Sequence, residues 1–291
     1  MEVTSVVQLA LFGAVVTRPT YRALTAGRPA RVQEWAAAHR LDVNAANEGG
    51  LASHLRRRGR WRAAGALVGL AFAILVPELE VGVYRAPRPG GNIGFVGFWS
   101  VAMGYLAGVL AGELTRRRPP GPARRAASLA PRDLDEYVPA VARLWLVAGA
   151  AGAVAGGAAL LLLPMHDHST VGRAVVAVVP PAVAVLFALA APLLARMLLH
   201  RAQPVATPLE VATDDAIRAA GARAVVAAGV AIVFVSLAVE LFALTLTDVQ
   251  VLRYGAWLPS LGAFGFGYGA WRILARPGGG RARPVLRERP A

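Results

Sequence analysis

Three glutamates, Glu78, Glu80 and Glu240, stand in or beside long apolar runs. A carboxylate held in hydrocarbon is the kind of group that binds a proton or a cation there. At the centre of a membrane helix an acidic residue costs about 2.5–3.5 kcal/mol on insertion scales, so its retention there demands a reason. These three lie a turn or two from the predicted outer ends of their helices, where the cost falls. An ion-pair reading joins Glu240 to Arg253, and Glu78 or Glu80 to Arg85 or Arg88. That structural reading outweighs the proton or cation site.

A second constellation is His166, Asp167 and His168, where two imidazoles flank a carboxylate. In an extended segment both histidines face the same way and are weak candidates for zinc, with help from Glu78, Glu240 or Asp248. Metal sites draw ligands from several segments, so three consecutive residues read first as a polar loop and no metal is assigned. No H-E-x-x-H, G-x-S-x-G or Walker A lysine occurs, and Ser100 and Ser236 lack the glycine flanks of a nucleophile elbow. The chain is therefore read as a non-enzyme with no cofactor. With no cysteine there is neither a disulfide framework nor a thiolate metal site.

The elements that carry these residues follow from the apolar runs. A helix crosses a hydrocarbon core of about 30 Å with about 20 apolar residues. Six runs qualify: Ala63 to Tyr84, Ile93 to Gly112, Val138 to Leu163, Val171 to Leu199, Ala224 to Leu246 and Val251 to Leu274. Val3 to Val16 is a shorter seventh; without a basic leader or cleavage site it reads as an anchor, not a signal peptide. The fold expected is an all-α integral membrane protein, a bundle of six long helices in three hairpins with a short N-terminal seventh. Residues 1–17 are the anchor, 18–62 a basic cytoplasmic connection, 63–274 the bundle and 275–291 a disordered cytoplasmic tail.

Charge sets the orientation. The chain carries 31 arginines and no lysine, against 17 acidic residues. Arg56, Arg57, Arg58, Arg60 and Arg62 precede the first long run, and Arg116, Arg117, Arg118, Arg124 and Arg125 follow the second. Arginine favours the cytoplasmic side, which places the C-terminus inside and the N-terminus outside if the first segment spans. The basic loops face anionic lipid headgroups at the cytoplasmic face. No basic segment interleaves aromatics as a nucleic-acid module does, so nucleic acid is not expected as a partner. The lysine-free composition, rich in Ala, Arg, Gly, Val and Pro, matches a GC-rich bacterial genome.

Helix contacts are also legible. Gly97, Gly104, Gly108 and Gly112 keep one helical face small, and Gly152 and Gly156, then Gly265 and Gly269, repeat the device. Small residues let membrane helices approach closely, within one chain or between copies. Pro180 and Pro181 remove backbone donors inside the fourth long run and kink it. Two functions fit these features. The first is a non-catalytic accessory or assembly partner of another component in the bacterial cytoplasmic membrane. The second is a small-solute or ion permease, or the membrane subunit of a transporter with a separate ATPase, working through the kinked helix, Glu78 and Glu240.

Overall fold

The computed structural model describes residues 21, 25–45, 47–79, 93–115, 133–164, 170–201 and 208–276. The described residues are almost wholly helical and contain no strand. In chain order the helices are α1 (Pro29–Ala38), α2 (Glu48–Leu79), α3 (Ile93–Leu114), α4 (Leu134–Tyr137), α5 (Ala140–Leu162), α6 (Thr170–Leu199), α7 (Pro208–Ala243), α8 (Gln250–Gly255) and α9 (Trp257–Leu274). Among them Ala140–Leu162, Ala174–Leu199 and Leu209–Ala243 are long and apolar enough to cross a membrane. These three point to a membrane protein. The anchor expected over Val3 to Val16 and the tail from residue 277 lie outside the described residues.

α7 is the axis of the bundle. From Ala222 to Val235 its side chains are buried almost without interruption, because α3, α5, α6 and α9 pack around it. Leu106, Leu110, Leu146, Leu198, Val225, Ile232 and Leu274 meet in one core. Aromatic rings lock α9 in place. Trp271 stands edge-on to Tyr105 at 5.6 Å, and Phe266 contacts Trp145 at 5.2 Å and Phe234 at 4.5 Å. The outward faces of α5 and α6 are the reverse of this core. Leu144, Val147, Val178, Leu186, Leu189 and Leu193 are exposed there, the composition of a surface solvated by lipid.

α2 and α3 pack through backbone. A Cβ on Gly65 would lie 2.1 Å from the Gly104 carbonyl oxygen, and one on Gly104 2.3 Å from that of Gly65. Gly69 meets Ser100 at 2.1 Å and Gly108 meets Trp61 at 2.2 Å on the same measure. Only glycine permits this approach, which gives the pair close packing in place of a hydrophobic drive.

Two helices run well past their apolar runs. α2 has 32 residues and α7 has 36, about 48 Å and 54 Å at the α-helical rise, against a hydrocarbon core of about 30 Å. α2 continues unbroken through residue 62, where the sequence suggests a connection passing into a bundle. The surplus length forms a small head with α1, in which Val32, Ala36, Leu41, Leu51, Ala52 and Ile217 pack together. α1 begins with Pro29 at its first turn and is closed beyond its C-cap His39 by Arg40, whose φ of 55° is left-handed. The Leu41 amide then donates to Ala36 O at 3.0 Å and the Arg40 amide to Ala37 O at 3.1 Å, a Schellman closure. Buried Asn47 ties the turn before α2 to α7: its Nδ2 donates to Asp42 O at 2.8 Å and Thr213 Oγ1 at 3.3 Å.

The last apolar run is not one helix. α8 and α9 are separated at Ala256, because Pro259 has no N–H to return to the Gly255 carbonyl and its ring crowds that carbonyl, so a single helix cannot run through the junction unbroken. α8 instead packs with the 3₁₀ turn Leu244–Leu246 as a cap over the end of α7.

Candidate functional site

The polar groups inside the bundle gather at its two ends. At the basic end, where α2 leaves the head, Arg58 Nε lies 2.6 Å from Glu113 Oε1 of α3. Both side chains are buried, 11% and 3% exposed, and they meet as a close ion pair without a hydrogen-bond-aligned N–H. Burial pulls Arg58 below the usual guanidinium range, and Glu113 is the main influence opposing it. α7 makes room for the carboxylate with Gly221, where a Cβ would sit 2.9 Å from Glu113 Oε2. Arg201, just past α6, donates from Nη1 to Glu113 O at 3.4 Å and from Nη2 to Leu114 O at 3.3 Å. Arg218 closes the corner, donating to Asp214 Oδ2 at 2.6 Å and to the Arg201 carbonyl. Helix ends carry unsatisfied carbonyls, and these arginines supply the missing donors at the ends of α3 and α6.

Behind this corner lies His39 of α1, stacked on Trp35 at 3.9 Å, with its Nδ1 2.7 Å from Trp35 O. Burial pushes its imidazole down to about 4, the Trp35 carbonyl opposes that, and the charges of Arg223 and Arg58 lower it further. His54 meets the other side of Trp35 edge-on at 6.3 Å. Arg223 of α7 is 8% exposed, and its Nε has no hydrogen-bond partner among the described residues.

At the opposite end the central feature is Glu240 on α7. It is 0% exposed, and neither carboxylate oxygen has a hydrogen-bond partner among the described residues. α5 accommodates it through Gly156, where a Cβ would lie 2.8 Å from Glu240 Cβ. At the next position, a Cβ on Gly157 would lie 2.4 Å from Ala177 O of α6. That carbonyl has lost its helical donor, because Pro181 four residues on carries no N–H. The glycine pair thus places an orphan carboxyl and a proline-freed carbonyl on neighbouring faces of one helix. Ser260 of α9 is near in sequence register but occupied, donating to Ala238 O at 2.8 Å.

The other residues singled out by sequence divide unevenly. Glu78 lies in the last turn of α2 with its side chain outside the described residues, and Glu80, Arg85, Arg88, His166 and His168 lie outside them altogether. The Arg253 side chain is also outside them, so the expected Glu240–Arg253 pair has no geometry to report. Gly104, Gly108 and Gly112 face α2, and Gly152 and Gly156 face Leu237 and Glu240 of α7. Gly97 lies on α3 in the stretch whose side chains are not described. A Cβ on Gly265 or Gly269 would meet nothing within 4 Å, and in α9 it is Gly267 that seats Phe234. Pro180 and Pro181 sit inside α6, which continues through them. Among the described residues no group of three His, Cys, Asp or Glu could hold a metal.

Sequence reasoning missed Glu113. Its signal was available: a single carboxylate directly after Gly112, at the end of an apolar run and opposite the five arginines that precede the first run. Comparison with known proteins adds no relative, since no family model, curated protein or solved structure matches the chain.

Proposed function

We propose that this chain is a multi-span protein of the bacterial cytoplasmic membrane that performs no chemistry itself and serves as an accessory or assembly partner of another component. Six spans with the basic end and the C-terminus in the cytoplasm are part of that reading. The observation that carries it is the head. Because α2 and α7 run without a break from the bundle into the packed cluster of Val32, Ala36, Leu51 and Ile217, a partner held there is mechanically joined to the membrane helices. A loose basic connection would only tether it.

The test is extraction in mild detergent after brief crosslinking, comparing the native chain with Leu51→Asp, which places a charge in the head core. The reading expects a stoichiometric partner with the native chain and its loss with the variant at equal membrane abundance. A lone monomer, or a partner retained by Leu51→Asp, contradicts it.

One observation favours the permease as a second reading. Glu240 is buried without a hydrogen-bond partner beside the carbonyl freed by Pro181, and intramembrane carboxylates of this kind mark ion or proton paths. On this reading Glu240→Gln abolishes solute or proton flux in proteoliposomes while the protein stays folded, and unchanged flux removes the residue from the mechanism.

A further inference from the structure

The charges at the basic end do not balance. Arg58 feels the charges of Arg62 and Arg223 as well as that of Glu113, and Arg223 and Arg58 both act on His39. Arg58 and Arg62 stand one turn apart on α2, and Glu113, paired with Arg58, lies against Gly221 of α7, two residues before Arg223. Arg201 and Arg218 are engaged with carbonyls and Asp214, so Asp214 is committed to its own arginine. Arg223 is more than nine-tenths buried with an orphan Nε, and no described carboxylate is set against it. A buried guanidinium without a counter-charge is strongly unfavourable, and the usual remedy is an anion that accepts several N–H groups at once.

We propose that Arg223, with Arg58 and Arg62, binds a phosphate group at the basic end of the bundle. Arginine forks match tetrahedral oxyanions in geometry as well as in sign. His39 gives its one N–H to the Trp35 carbonyl and supplies no donor to the phosphate, so recognition rests on the guanidiniums, and Glu113 holds Arg58 in position from the opposite side. The phosphate is either that of an anionic lipid headgroup or that of a free solute; the chemistry recognised is the same.

The experiment uses the full chain, purified in phosphate-free neutral detergent, with thermal unfolding followed by tryptophan fluorescence. Two probes are titrated, inorganic phosphate and a short-chain phosphatidylglycerol below its micelle concentration, with short-chain phosphatidylcholine as the neutral-headgroup control. The proposal expects a saturable rise in unfolding temperature that needs at least tenfold more probe in Arg223→Gln. Arg62→Gln, a partly exposed position that should fold even if the first variant does not, weakens the response in the same direction. Arg272→Gln, on the same end but against Tyr268, leaves it unchanged. A response to both anions identifies a phosphate site open to solutes, and one to phosphatidylglycerol alone a lipid site. No anion response in the native chain, or an equal one in Arg62→Gln and Arg272→Gln, overturns the proposal.

Discussion

Removing Glu113 tests the buried pair at the basic end. In Glu113→Leu the Arg58 guanidinium stays 11% exposed, with Arg62 and Arg223 acting on it and no carboxylate to offset them. Two unit charges about 4 Å apart attract by about 4 kcal/mol at an effective dielectric of about 20. Stranding one member of a buried pair is typically worth about 3–5 kcal/mol. The expected loss is therefore about 3–5 kcal/mol, enough to unfold a marginal bundle. The double variant Arg58→Met with Glu113→Leu removes both charges and keeps apolar volume, so it should recover to within about 1 kcal/mol of the native chain. The assay is reversible denaturation in mixed micelles followed by circular dichroism, run as a double-mutant cycle. A single-variant loss below about 1 kcal/mol, or a double variant as unstable as Glu113→Leu alone, would refute the reasoning.

Gly65→Ala should cost about 1–3 kcal/mol in the same assay, because its Cβ would fall 2.1 Å from the Gly104 carbonyl oxygen and force α2 and α3 apart. Gly269→Ala, with nothing within 4 Å, should be neutral or gain up to about 1 kcal/mol from helix propensity. Arg40→Gly should stabilise the head by about 1 kcal/mol, since glycine adopts the left-handed φ of 55° without strain; a fall in stability would show that Arg40 has a role beyond the turn. His39 gives a pH dependence. Its folded pKa of about 4 lies below the ordinary 6.5, so between these values the unfolded chain binds a proton that the folded chain refuses. Head stability should rise with pH from about 4 to 6.5 and level off above, and His39→Phe should flatten that rise.

What could be read from sequence follows from where charge and apolarity coincide. α5 and α6 match their apolar runs to within a few residues, because hydropathy and helix end together there. α2 and α7 do not: their N-terminal halves carry Arg56, Arg57, Arg58, Arg60 and Arg62, and Glu210, Asp214, Asp215 and Arg218, so the apolar signal stops while the backbone continues as helix, stabilised by packing in the head. The break at Ala256 escapes hydropathy for the opposite reason, since both sides of it are apolar; its signal is Gly255 and Pro259, which flank it. Periodicity identified the small face of α3 but not its partners Gly65 and Gly69, because pairing between helices is not written in the spacing along one of them. In α9 the same rule selected Gly265 and Gly269, whereas tertiary packing uses Gly267. Glu240 stood out by its type and place in an apolar run; the missing hydrogen-bond partner is a property of three helices together.

The central claim is that the head formed by α1, α2 and α7 is the surface through which this membrane protein works. A photo-crosslinking amino acid placed in living cells at exposed Gln33 of the head, and separately at exposed Leu189 on the apolar face of α6, tests it most directly. The account predicts one defined protein adduct from Gln33, abolished by Leu51→Asp, and lipid adducts alone from Leu189. No protein adduct from Gln33, or an adduct that survives disruption of the head core, would contradict it.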